Sequence, residues 1–247
     1  MVNDMQETIN AVNIHYIRYG NPNGKTLVFL HGWGQNIAMM KPVADPFEQD
    51  FDLLIVDLPG YGNSSEPTYP WTVTDYVECI HQLLKKLKIK KPTLIGHSFG
   101  GKISLLYASK YDVDKLVLFA SPFKKEIKKD NLTVKILKSA KKVPVLNKLE
   151  SFAKKHIGST DYRNASDMMR KILVNTVNFD ITEEVKKINC PTIIIWGTND
   201  EAVDIKRAYE LEQLIPDAGL IVYENCTHYA YLENLGQTIN IMNSFLK

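Results

Sequence analysis

Apolar residues in this chain follow two different spacings. Thr26-Leu-Val-Phe-Leu30, Leu53-Leu-Ile-Val56, Leu116-Val-Leu-Phe119 and Pro191-Thr-Ile-Ile-Ile-Trp196 are short, nearly unbroken apolar runs. Runs of that length, rich in branched side chains, predict strands buried on both faces of a parallel sheet. Residues 93–96 and Gly219-Leu-Ile-Val-Tyr223 read the same way. Elsewhere the helical repeat takes over. Tyr76, Val77, Ile80, Leu83, Leu84 and Leu87 fall on one side of a helix that Thr74 can cap. Further helices are predicted from Met39 to Phe47, where Pro42 and Pro46 blur the limits, from Ile103 to Lys110, and from Ile205 to Leu214. A closing helix uses Leu235, Ile239, Met242, Phe245 and Leu246. Partial alternation at Val12, Ile14 and Tyr16 predicts an edge strand over Ile9 to Tyr19, stopped by the turn formers Gly20-Asn-Pro-Asn-Gly24.

Strand and helix alternate as they do in a mostly parallel sheet covered on both faces. The alternation stops at Ser121-Pro122 and resumes at Pro191. Residues 122–185 hold no run with buried-strand character and read as several short helices, with Leu132, Ile136, Leu137, Val145, Leu146, Leu149 and Phe152 as apolar contacts. The expectation is one α/β domain, 1–121 with 186–247, carrying an insertion at 122–185. Both halves of the sheet are needed to close the core.

Composition narrows the class. A chain of 247 residues, 45% hydrophobic and 23% charged, can bury one large core or two small ones as an ordinary soluble protein. It has no run of apolar residues long enough to span a bilayer. Its start, Met1 to Thr8, is polar and acidic, unlike an export signal. Cys79, Cys190 and Cys226 are widely spaced and odd in number, which predicts reduced thiols in a cytoplasmic protein and neither a disulfide framework nor a zinc site. The net charge of +2 conceals an asymmetry: residues 122–158 hold eleven lysines and three acids. Two readings stand. The lysines keep a helical surface solvated, or they steer an anionic substrate or an acidic carrier protein. Without interleaved aromatics or a recognisable module they do not predict nucleic-acid binding.

The candidate chemistry centres on Gly96-His97-Ser98-Phe99-Gly100, a G-x-S-x-G pattern between a strand and a helix. In such a turn glycines clear space while the serine, held in a strained backbone, presents its hydroxyl above the sheet. An exposed serine needs a base, and a carboxylate behind that base to orient it. His228, between the last strand and the last helix, has the position and chain order for the base. His15 falls in the predicted edge strand, His81 on a surface-type helix and His156 in the insertion, while His97 points behind the turn. Asp200 ends Trp196-Gly-Thr-Asn-Asp200, just past a strand; Glu201 and Asp204 are rivals that suit the start of the next helix better. His31-Gly32-Trp33-Gly34 follows the first buried strand, and the Trp33 and Phe99 amides form a natural pair to receive an oxyanion. Asp57-Leu-Pro-Gly-Tyr-Gly62 lacks the spacing and lysine of a phosphate loop and reads as a structural turn.

Taken together, HGWG at 31–34, DLPGYGNS at 57–64, GHSFGG at 96–101, WGTND at 196–200 and THYAYLE at 227–233 resemble the α/β-hydrolase superfamily, in particular its small lidded serine hydrolases. The resemblance spans nearly the whole chain. It implies a mostly parallel eight-stranded sheet with helices on both faces and a helical lid inserted after strand 6. It implies Ser98 as nucleophile, Asp200 as acid, His228 as base and the Trp33 and Phe99 amides as oxyanion hole. It also implies a small acyl ester substrate and no cofactor or metal. Relatives that dehalogenate or open epoxides usually carry aspartate where Ser98 stands, which argues against both activities. Carboxylesterase chemistry leads. The alternatives are a thioesterase, an acyl-carrier-protein methyl ester esterase, a carbon–carbon bond hydrolase, or a non-catalytic ligand-binding protein on the same fold.

Overall fold

The computed structural model describes residues 3–125 and 165–247. Eight strands form one sheet: β1 (Asn3–Ile9), β2 (Val12–Gly20), β3 (Thr26–Leu30), β4 (Asp52–Val56), β5 (Thr93–His97), β6 (Leu116–Phe119), β7 (Thr192–Gly197) and β8 (Ala218–Tyr223). Their order across the sheet is β1-β2-β4-β3-β5-β6-β7-β8. β1 and β2 pair antiparallel, as do β2 and β4, and every other pairing is parallel. Strands β4 to β7 are buried at every position, which is why their sequences are apolar runs with no alternation.

Successive side chains still point to opposite faces. Val28, Leu30, Leu54 and Val56 pack with α2 (Val73–Lys86) and α3 (Phe99–Ala108). Leu27, Phe29, Leu53 and Ile55 pack with α1 (Ile37–Ala44) on the other face. Between β6 and β7 lies the helical insertion, whose described residues include α4 (Asp167–Asn178) and α5 (Thr182–Val185). The chain closes with α6 (Lys206–Leu214), α7 (Ala230–Glu233) and α8 (Leu235–Leu246). The lysines from 128 to 155, like His156, lie outside the described residues. Lys124 pairs with Glu210 at 2.8 Å. Cys79, Cys190 and Cys226 are free and buried. Among the described residues no helix is long and apolar enough to cross a membrane.

Two local expectations change. Thr72, not Thr74, starts α2: its N–H and hydroxyl both donate to Asp75 Oδ2 at 2.7 Å, and its own backbone is extended. The N-terminal strand is in fact a hairpin. The chain turns at Asn10-Ala11, both with positive φ (50° and 62°), and pairs Asn3–Ile9 with β2. Of residues 4–9 only Ile9 is buried, so the edge strand carries no hydrophobic period to read.

His15 therefore lies in an interior strand. Its Nδ1 contacts Asp57 Oδ2 at 2.6 Å and its Nε2 contacts Asp4 Oδ1. Burial disfavours the charged ring, yet the hydrogen bonds and charges of Asp57 and Asp4 outweigh it and raise the pKa. A raised folded pKa stabilises the fold fully below the unfolded value of about 6.5 and loses that contribution as pH climbs through the folded value. The urea midpoint of the wild type is expected to fall as pH rises above neutrality. His15→Leu, which leaves Asp57 without its cation, is expected to cost about 3 kcal/mol and to flatten that slope. A wild-type midpoint that rises across this window would contradict the pairing.

α4 packs through Met169 and Ile172 and is also met by a buried cation. Lys102, on α3, donates from Nζ to the Thr176 carbonyl at 2.8 Å, in the last turn of α4. The negative end of a helix suits a cation there. Burial pushes the Lys102 pKa down to about 8, with Asp180 opposing the shift.

Candidate active site

The sheet order locates the site before any side chain is considered. From β3 the chain crosses to β4 on one side, while from β5 it crosses to β6 on the other. Such a reversal opens a crevice at the carboxyl ends of the two adjacent strands. The register sets Leu30 beside Gly96, so the loop opening at His31 and the turn opening at His97 emerge together.

Ser98 occupies that turn with φ 49° and ψ −110°, a conformation that side chains rarely adopt. Close packing holds it there. A Cβ on Gly100 would stand 2.1 Å from the Leu30 carbonyl oxygen, and one on Gly101 would stand 1.7 Å from Ser121 Oγ. Ser98 N–H donates to Phe119 O at 2.8 Å and Gly100 N–H to His31 O at 3.0 Å. The serine is half-buried. Phe99 opens α3, so its N–H has no acceptor within the helix and sits at the positive end of the helix dipole. The rings of Trp33 and Phe99 lie 5.4 Å apart, and Phe99 continues to Tyr76 at 4.9 Å. These aromatic contacts bring the 31–34 loop against the turn.

His228 lies in the loop between β8 and α7. Its Nδ1 donates to Asp200 Oδ2 at 2.7 Å, the histidine side chain being 15% exposed and the aspartate side chain 0%. The second oxygen of Asp200 accepts the N–H groups of Ala202 and Val203 at 2.8 and 2.9 Å. An imidazole that donates through Nδ1 keeps Nε2 as an acceptor. Glu201 and Asp204 are exposed, and Asp204 accepts the Lys206 N–H at the start of α6. Of the three acids, Asp200 is the one that meets the histidine.

His97 is fully buried; its Nε2 lies 3.0 Å from the His228 carbonyl oxygen and its Nδ1 3.1 Å from Gln35 Oε1. That position, behind the turn, is the one its place in the sequence predicts. His31 Nδ1 donates to Gly32 O at 2.7 Å and its Nε2 accepts Leu58 N–H at 2.9 Å, a neutral ring. Burial accordingly pushes its pKa down to about 4. His81 stacks on Tyr111 with ring centres 3.7 Å apart. The 57–62 stretch is structural. Asp57 accepts Ile37 N–H at 2.8 Å and Asn63 N–H at 2.9 Å, and a Cβ on Gly62 would stand 2.2 Å from the Asp57 carboxylate. Gln35 carries no signal in the sequence, being one polar residue in a loop. Its oxygen accepts Gly32 N–H at 2.9 Å.

This fold has known counterparts. The family model for the alpha/beta hydrolase fold matches residues 25–137 and 134–235, and the chain belongs to that family. It is 29% identical over 259 residues to a monoacylglycerol lipase of Mus musculus, covering 92% of this chain and 77% of that one. It is 26% identical over 247 residues to the pimeloyl-[acyl-carrier protein] methyl ester esterase of Aliivibrio fischeri, covering 90% of this chain and 94% of that one. The fold matches the crystal structure of a bacterial membrane phospholipase A with a TM-score of 0.80 at 22% identity, over 99% of this chain and 86% of that one.

Proposed function

We propose that the protein is a serine hydrolase that cleaves carboxylic esters through an acyl-enzyme on Ser98. The observation that carries this reading is the His228–Asp200 hydrogen bond, made by a buried carboxylate, with the His228 carbonyl 3.0 Å from the ring of His97, the residue before the strained Ser98. Neutral His228 accepts the Ser98 hydroxyl proton at Nε2 as Oγ attacks the acyl carbon. The Trp33 and Phe99 amides receive the oxyanion. The tetrahedral intermediate collapses, His228 returns the proton to the departing alkoxide, and water activated by the same base releases the acid. Residues 1–121 and 186–247 form the catalytic core in this reading, and 122–185 the lid.

Relatives named as a monoacylglycerol lipase and as a methyl ester esterase support an acyl ester with a small alcohol as substrate. The eleven lysines among residues 122–158 support an anionic form of it, an acidic carrier included. The test is the initial rate on p-nitrophenyl esters from acetyl to dodecanoyl, with neutral and anionic acyl chains compared as salt is raised. A peak at one chain length is expected, with added salt lowering kcat/KM for the anionic ester alone. Absence of turnover across the series would refute ester hydrolysis, and an equal salt response would refute the steering.

A further inference from the structure

His97 is not assigned a chemical step in that mechanism, yet it touches two of the loops that must meet. A carbonyl only accepts, so the 3.0 Å contact with His228 O requires His97 Nε2 to carry a proton. None of the ring's hydrogen-bond partners is a carboxylate, and burial, with the nearby His228 and His31, pushes its pKa down to about 3. The ring is therefore neutral near pH 7 and donates towards the base loop. On its other edge Nδ1, left without a proton, faces the Gln35 oxygen at 3.1 Å without a hydrogen bond; that oxygen accepts Gly32 N–H at 2.9 Å, and the Gln35 nitrogen donates to Tyr229 Oη at 3.4 Å. His97 itself directly precedes Ser98. A Cβ on Gly32 would come within 2.8 Å of His97 Nδ1, so the glycine in HGWG leaves room for this ring.

We propose that His97 and Gln35 are positioning residues, a bracket in two parts: the buried His97 ring ties the His228 loop to the turn carrying Ser98, and the half-buried Gln35 ties the Trp33 loop to the His228 loop through Gly32 and Tyr229. The inference rests on the serine hydrolase reading and deepens it. Without the bracket the His228 main chain loses its tether to the strand that leads into the serine. Catalysis is steep in such distances, and a displacement of about 1 Å can cost on the order of a hundredfold.

The experiment compares His97→Phe, His97→Gln and Gln35→Leu with wild type and Ser98→Ala in one p-nitrophenyl ester assay, with folding checked by thermal unfolding. Phenylalanine keeps the ring and removes the donor, while glutamine offers an N–H at comparable reach. H97F is expected to lose roughly 10- to 100-fold in kcat with KM nearly unchanged, and the rate of Ser98 labelling by a fluorophosphonate is expected to fall in parallel. H97Q is expected to recover most of that loss, and Q35L to lose about 5-fold. A merely structural role would move stability and leave this kcat-only pattern absent. A folded H97F with wild-type kcat, or equal losses in H97F and H97Q, overturns the proposal. Should H97F fail to fold, Q35L decides: wild-type kcat there overturns it. The controls separate the two failures. If S98A turns over like wild type the hydrolase reading falls, whereas an inactive S98A beside a fully active H97F removes the bracket alone.

Discussion

Ser98→Ala is expected to lower ester turnover by on the order of 10⁵-fold, to a level set by binding and the oxyanion amides alone. The alanine methyl group cannot attack, and water reaching the same point lacks the serine's fixed orientation. KM is expected to change little, since the hydroxyl contributes mainly once bond formation begins. The protein should remain folded, because alanine keeps the N–H that donates to Phe119 O and fits the same space. It also keeps the strain of φ 49°. Ser98→Gly releases that strain, so it is expected to be equally inactive and to unfold at a higher temperature than S98A, a gain of about 1 kcal/mol. Turnover by labelled-site titration and melting temperature together check both halves. A pure S98A preparation with appreciable turnover would remove Ser98 from the mechanism.

The next largest effect is expected at Asp200, and its origin is a tautomer. In Asp200→Asn the amide oxygen is still needed by the N–H groups of Ala202 and Val203, which hold Oδ1 in the wild type. The amide nitrogen then faces His228 Nδ1. A donor in that place obliges Nδ1 to accept and shifts the ring proton to Nε2, the atom that must take the proton of Ser98. We expect kcat to fall roughly 10³- to 10⁴-fold with KM preserved. Glu201→Gln and Asp204→Asn, in exposed groups that do not contact the histidine, are expected to stay within about twofold of wild type. Steady-state kinetics on the three variants decides which carboxylate acts. A large loss in E201Q with an active D200N would transfer the role.

Much of this architecture is legible along the chain because its central strands are buried on both faces. Burial on both sides removes polar positions, so β3 to β7 stand out as apolar runs with limits close to those observed. The glycines around Ser98 are equally readable, since a strand that turns directly into a helix has no room for Cβ atoms. β1 is not readable. It has one solvated edge, its pairing comes from backbone groups that every residue carries, and its side chains are largely exposed. Thr74 passes for a cap because it precedes an apolar helical stripe, and only the Asp75 contact identifies Thr72. His15 looks like an edge residue until the hairpin places a strand on each side of it.

By itself the sequence determined most of the strands and helices, β1 excepted, and the glycines and the serine at the strand-to-helix turn. Those are short-range matters, governed by the periods of helix and strand and by the space around a Cβ. The tertiary structure decided the partnerships. Asp200 rather than Glu201 or Asp204 meets His228 across 28 residues of chain, and His97 reaches the His228 carbonyl across 131. Such contacts depend on strand order and on the register at the carboxyl edge of the sheet. No local pattern encodes them, because they exist only once the sheet has closed.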